Sequence, residues 1–420
     1  MIITIYFFFL SIRYYKTKSV GLIISILLMI SGIGAILVNC EPKIETMTEL
    51  LNLMYILLIL SILISGLSKF KKITKIQANK TIDKVANIII VLSIFSLSIN
   101  LYALIYTYSN LFSISFEQFK NTDTGNEFQY TIPISHTLLT IATFITPLSF
   151  FLIGLTYYYS SIKKTRKSLL CFILSFNITV QGFTIFSRSW MIINILVLLV
   201  SFLITIRLLN LKKLLPVFIL FISLLVVQNV LVTEINQNRF SNYYVRPGSY
   251  IKEPIAYSVV DYLSMWQQNS ITVLSNYYSI ESIQFASATN RIGPFLISYF
   301  QILGSDNVPA SRSQIWPYPY YYTFNGLVTD LVFDFGYIFT FVLSIFYRKF
   351  CLSISPTHGE IKFENYVLLL LLMTAPLLFF SNIIFGMVFM NLALIYAVSF
   401  RFYTRKNSNK VASYKFLQIS

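Results

Sequence analysis

The sequence predicts an all-α polytopic membrane protein with about eleven transmembrane helices and one large outer loop. Three observations predict the helical membrane class. Of 420 residues, 56% are hydrophobic and only 11% charged, against about 25% charge in a soluble domain, and the mean hydropathy is +0.70. Runs free of Asp, Glu, Lys and Arg recur at the length a helix needs to cross about 30 Å of hydrocarbon. The net charge of +16 falls in short basic clusters between those runs, a pattern of membrane topology rather than of nucleic-acid binding.

The opening run, 1–12, is short for a span. No basic region precedes it and no small-residue cleavage site follows, which argues against a cleaved signal peptide. Runs 19–39, 50–67, 85–108, 135–160, 169–186, 190–206 and 215–233 each read as one helix, and 335–347 does so once flanking residues extend it. The stretch 366–400 is too long for one perpendicular helix. Pro376 and Ser381-Asn382 offer a turn near its middle, so it reads as two.

Lys and Arg are enriched in short cytoplasmic loops, which makes sidedness countable. With 13–18, 68–84, 161–168, 207–214, 348–365 and 401–420 inside, these segments hold 24 of the 32 basic residues and only three acids, Asp83, Glu360 and Glu364. The split predicts eleven spans, an outer N-terminus and a basic cytoplasmic tail at 401–420, all within one integral membrane domain, 1–420.

Two outer segments stand out. The first, 109–134, carries Glu117, Lys120, Asp123 and Glu127; the second, 236–323, runs for 88 residues without a clean span. A structureless loop of that length is rare, so it should fold and carry function. Within it, 255–274 reads as an amphipathic helix and 293–303 as an apolar segment too short to cross, both expected at the membrane interface.

The spans are almost bare of charge, against an ion-coupled carrier. Their polar residues, Asn177, Gln181, Gln228 and Asn229, are explained by helix–helix hydrogen bonding. No P-loop, dinucleotide fingerprint or zinc-binding helix is present, and Cys40, Cys171 and Cys351 match neither a metal-ligand spacing nor a disulfide framework. No metal or cofactor is expected.

What remains is a set of outer charges. Arg188, in Phe186-Ser187-Arg188-Ser189-Trp190, sits in a minimal turn on the side where basic residues are disfavoured. It meets a lipid phosphate or an outer acid, or it grips the phosphate of a lipid-linked substrate with its planar, permanently charged guanidinium. The long loop adds Arg239, Arg246, Lys252, Arg291 and Arg312, twelve tyrosines, Trp266 and Trp316. Cations suit a diphosphate; aromatic rings suit sugar faces and equally the membrane interface. The cluster Trp316-Pro317-Tyr318-Pro319-Tyr320-Tyr321-Tyr322 is the strongest candidate for carbohydrate contact. Asp330 and Asp334, four residues apart at the outer mouth of the next span, share one helix face. Either accepts a proton from an attacking hydroxyl or pairs with Arg188 or Arg291.

Many spans, one large outer loop, the turn Ser187-Arg188-Ser189 before an apolar helix, and Tyr322-Thr323-Phe324 leading to Asp334-Phe335-Gly336 resemble the Wzy-type O-antigen and capsular oligosaccharide repeat-unit polymerase family. The interval from Thr323 to Asp334 is a few residues longer than the family pattern, so Asp330 and Asp334 compete for the equivalent place. The resemblance implies a C-type membrane glycosyltransferase-like fold and a metal-independent glycosyltransferase acting on undecaprenyl-diphosphate-linked repeat units at the outer face of the bacterial cytoplasmic membrane. It implies Arg188 and Arg291 on the diphosphate, Arg239, Arg246 and Arg312 as further phosphate or acceptor contacts, Tyr321 and Tyr322 at the substrate, and Asp334 or Asp330 as base. A chain-length regulator and a flippase are implied partners, beside the bilayer.

Two rivals remain. The related O-antigen ligase depends on a histidine in its large outer loop, whereas His136 and His358 both lie elsewhere. A lipid-linked oligosaccharide flippase or exporter would have evenly short loops and charged groups around a central cavity.

Overall fold

A computed structural model describes residues 1–77, 80–111, 133–184, 188–205, 245–275, 326–380 and 388–417. In chain order the elements are α1 (Ile2–Tyr15), α2 (Val20–Leu37), α3 (Met47–Gly66), β1 (Lys75–Gln77), α4 (Lys80–Leu111), α5 (His136–Ile145), a 3-10 turn (Thr146–Leu148), α6 (Ser149–Ser161), α7 (Thr165–Leu174), α8 (Asn177–Thr184), α9 (Arg188–Thr205), α10 (Pro254–Ser264), α11 (Trp266–Ser275), α12 (Leu327–Ile354), β2 (Glu360–Lys362), α13 (Phe363–Leu372), α14 (Thr374–Leu377) and α15 (Val388–Leu417).

The protein is mostly helical. Among the described residues, five helical stretches are long and apolar enough to cross a membrane: Val20–Leu37, Met47–Gly66, Ile82–Thr107, His136–Ser161 and Phe335–Ile354. Ile338, Ile105, Val91 and Phe346 are exposed on them, so their outer faces suit lipid rather than water. These helices make the chain a membrane-associated protein. The run expected at 215–233 lies outside the described residues. The run expected as one helix over 169–186 is two, α7 and α8, and the stretch 366–400 contains the end of one helical segment at Leu377 and the start of another at Val388.

The chain divides into two compact units. The first comprises Met1–Lys71, Arg239–Ser355 and Leu372–Met390. In it α1 packs along α2, and α3 packs along α12. Helix α3 starts at a capping box: Glu49 N–H donates to Thr46 Oγ1 at 3.2 Å, and Thr46 N–H donates to the Glu49 carboxylate at 2.9 Å. Helices α10 and α11 dock on α2 and α3 respectively. The amphipathic run expected over 255–274 is formed by α10 and α11. At their junction Met265 N–H donates to the Asp261 carbonyl at 2.8 Å and its own carbonyl accepts from Asn269 N–H at 3.1 Å, and Tyr257, Met265, Trp266 and Ile271 are buried in the unit. Trp266 is therefore a core residue, its Nε1–H donating to Ser31 Oγ at 2.9 Å, and not a platform for sugar or membrane interface. The cause is the amphipathic face itself: its apolar and amide groups find α2, where Gln267 Nε2 also reaches Ser31 Oγ at 3.1 Å and Ser31 donates to the Leu263 carbonyl at 2.7 Å.

The second unit comprises Lys72–Asn238, Pro356–Leu371 and Asn391–Ser420. Its two-stranded sheet is parallel, pairing Lys75 with Glu360, Ile76 with Ile361 and Gln77 with Lys362. Its helices are held by a buried polar network. Asn100 Nδ2 donates to Asn177 Oδ1 at 2.8 Å, Asn177 Nδ2 to Ser96 Oγ at 2.8 Å, and Gln181 Nε2 to Thr143 Oγ1 at 2.6 Å. Asn177 and Gln181 thus serve the interhelical bonding expected of them, since in hydrocarbon a polar side chain has few other partners. Gln228 and Asn229 lie outside the described residues.

Hydrogen bonds within each unit join segments that charge counting puts on one side. Val20 N–H donates to the Phe70 carbonyl at 2.8 Å in the first unit. In the second, Ile73 N–H reaches the Ile204 carbonyl at 2.7 Å and β1 pairs with β2. Among the segments expected outside, Tyr250 N–H donates to the Leu37 carbonyl at 2.9 Å and Asn39 Nδ2 to the Pro247 carbonyl at 2.6 Å.

Candidate functional site

Residues 245–275, the described part of the segment expected to form the large outer loop, are built around a buried cation. Arg246 is 6% exposed and Asp261, on α10, 5%. Arg246 Nε lies 3.6 Å from Asp261 Oδ1, and its Nη1 donates to Gln268 Oε1 on α11. The backbone N–H of Arg246 donates to the Tyr257 hydroxyl at 3.4 Å. Tyr257, Asp261 and Gln268 follow at four- and seven-residue spacing along one helical pattern, so α10 and α11 present them to the same strip. A guanidinium taken out of water needs a carboxylate and hydrogen-bond acceptors around it, and this arrangement supplies both. Burial pushes the Tyr257 hydroxyl up to about 12, with the Asp261 charge adding to it, and burial likewise pushes the neighbouring Cys40 thiol up to about 12. Both groups are neutral at pH 7.

Helix α11 also carries the start of α12. Gly326, the residue before α12, has φ +91°, and a side chain there would meet Ser270 Oγ at 2.6 Å and Trp266 Cε3 at 3.0 Å. Glycine alone gives both the backbone angle and the close approach. The N–H groups of Gly326 and Leu327 donate to the Phe380 and Phe379 carbonyls at 3.0 and 2.8 Å, fixing the helix start. From it projects Asp330, 6% exposed, in the first turn of α12, where the helix dipole favours a carboxylate.

Of the residues singled out in the sequence, Arg246 bonds to α11 through Gln268, and Asp330 lies in the first turn of α12, whose preceding Gly326 also packs on α11. Neither is the outward-facing charge that was expected: both are buried. Arg188 opens α9 and Asp334 lies four residues after Asp330 in α12; their side chains lie outside the description. Arg239, Arg291, Arg312, Tyr321, Tyr322 and Trp316 lie outside the described residues, as do segments 112–132 and 276–325 of the two outer loops. The sequence does not single out Asp261 and Gln268; folding brings them to Arg246 from fifteen and twenty-two residues away. No group of three His, Cys, Asp or Glu among the described residues is arranged to hold a metal ion, and Cys40, Cys171 and Cys351 are free buried thiols.

Such a cluster can anchor an outer segment and hold a carboxylate in a nearly dry setting, where hydrogen bonds and charge effects are strong. No family model, curated protein or solved structure matches the chain.

Proposed function

We propose that the protein polymerises undecaprenyl-diphosphate-linked oligosaccharide repeat units into O-antigen or capsular polysaccharide on the outer face of a bacterial cytoplasmic membrane. The observation that carries the reading is that Arg246, Asp261 on α10 and Asp330 at the start of α12, charged residues in a chain only 11% charged, are all buried, and that α11 packs on both the Arg246 cluster and the start of α12. Burying charge beside hydrocarbon is costly and marks function more often than packing. Same-side hydrogen bonds support the accompanying topology of eleven spans, with the N-terminus outside and the tail inside.

In this reading the growing glycan passes from its lipid diphosphate to a sugar hydroxyl on a new lipid-linked unit. The C–O bond to the diphosphate breaks as the hydroxyl oxygen bonds to the anomeric carbon, and the hydroxyl proton goes to Asp330 or Asp334. Arg188 and Arg291 stabilise the departing diphosphate, with Arg239 and Arg312 as further contacts. Tyr321 and Tyr322 lie along the sugar. Arg246, engaged by Asp261 and Gln268, anchors the outer segment.

Arg188→Ala and Arg291→Ala test the scheme. Each is expected to abolish the long surface-polysaccharide ladder at normal protein abundance. Full polymerisation by both would sink it.

A further inference from the structure

Helix α12 is not one rod. Gly336 has φ 76° and ψ 168°, outside the helical region and in a part of backbone space that is nearly glycine's alone. The hydroxyl of Thr340 donates to the Leu331 carbonyl at 2.9 Å. In an unbroken helix, nine residues rise about 13.5 Å, so this bond exists only because residues 327–335 fold back on the span that begins after Gly336.

Tyr337, the next residue, is clasped at both ends. Its carbonyl accepts from Tyr55 Oη at 2.6 Å, and its hydroxyl donates to Asn52 Oδ1 at 2.9 Å. Asn52 Nδ2 in turn lies 3.4 Å from Ser275 Oγ, at the last residue of 245–275. The Tyr55 and Tyr337 rings meet edge to face at 5.0 Å. The folded-back piece is wrapped by protein: every side chain from Leu327 to Phe333 is buried, whereas Ile338, just past the break, is 84% exposed. A helix packed on one face would bury about half its side chains. This short piece carries both Asp330 and Asp334.

We propose that Gly336 and Tyr337 form a fixed joint that positions the acid-bearing piece 327–335 against residues 245–275. They are positioning residues for glycan transfer and touch no substrate. The inference rests on the reading of Asp330 and Asp334 given above. Restoring a helix at Gly336 would move the piece 327–335, and the buried Asp330 with it, from its present place, and loosening Tyr337 would let the piece rock.

The test uses purified full-length protein and a lipid-diphosphate-linked repeat unit from the strain of origin. It compares wild type, Gly336→Ala, Tyr337→Phe, Asp330→Asn and Asp334→Asn for turnover against substrate concentration and for melting in detergent. Gly336→Ala is expected to lower kcat at least tenfold and Tyr337→Phe about threefold, each with KM within twofold of wild type. At least one of the two acid variants is expected to lose kcat more than tenfold. Wild-type kcat in both joint variants, or a raised KM at unchanged kcat, overturns the proposal while the acid variants still report on the reading beneath it. If Gly336→Ala fails to accumulate, wild-type kcat in Tyr337→Phe overturns the joint by itself. Wild-type kcat in both acid variants overturns the reading and the joint together.

Discussion

Arg246 and Asp261 show how a single pair can decide whether a segment is ordered. Both are almost fully buried, so removing one leaves the other's charge without its counter-ion, at a cost of about 3–5 kcal/mol. Arg246→Ala should therefore lower abundance and melting temperature sharply, and Arg246→Met with Asp261→Leu should recover most of both and return the polysaccharide ladder with them. A ladder still absent at recovered abundance would instead make Arg246 a substrate contact. Cys40 gives a second check nearby. With its thiol pushed up to about 12 by burial, almost none is thiolate at pH 8, and maleimide should label it only after denaturation. Prompt labelling of Cys40 in the native protein would contradict the packing around it. Arg246 was legible as a candidate from the sequence, but its engagement by Asp261 and Gln268 was not, because composition says nothing about which face of a helix a distant residue meets.

Among the elements, broken helices are the part the apolar pattern hid. The run 169–186 looks continuous, yet α7 ends at Leu174. Asn194 Nδ2 takes the Ser175 carbonyl at 3.1 Å, and Ser175 Oγ bonds back to the Phe172 carbonyl at 2.7 Å. Pro147 marks the similar break between α5 and α6 and was visible as a residue, but its consequence depends on Thr146, which accepts from Asn100 Nδ2 at 3.2 Å. At Gly336 the motif was noticed and the fold-back was not, since Thr340, Tyr55 and Asn52 enforce it from outside the motif. Replacing Asn177 with Leu should cost about 1–2 kcal/mol by stripping Asn100 and Ser96 of partners. The expected result is a lower melting temperature with the ladder intact; loss of the ladder at unchanged abundance would place this network in the site. The sheet carries its own pH dependence. Gln77 and Lys75 hold the exposed Glu360 carboxyl below its usual range. A lowered folded-state value stabilises the pairing above the unfolded value and loses that support as pH falls through the folded one. Exchange protection of the Lys75–Gln77 amides should accordingly weaken on acidification below about pH 4.5.

At the scale of the whole molecule, the membrane class was legible because hydrocarbon demands long uncharged helices and loops keep their basic residues on one side. Sidedness makes a simple prediction: a reporter fused after residue 420 should read as cytoplasmic, and a periplasmic signal would undo the eleven-span topology. The site was less legible, because its identified charges come from residues brought together only by folding, Arg246 paired with Asp261 of α10 and Asp330 in the first turn of α12. The most direct test of the central claim is a gel of surface polysaccharide from the strain of origin lacking this gene, beside the same strain complemented with wild type. A polymerase predicts loss of the long ladder with a single capped repeat unit remaining, restored by complementation. Loss of every repeat, the single one included, would contradict it and point to the ligation or translocation step.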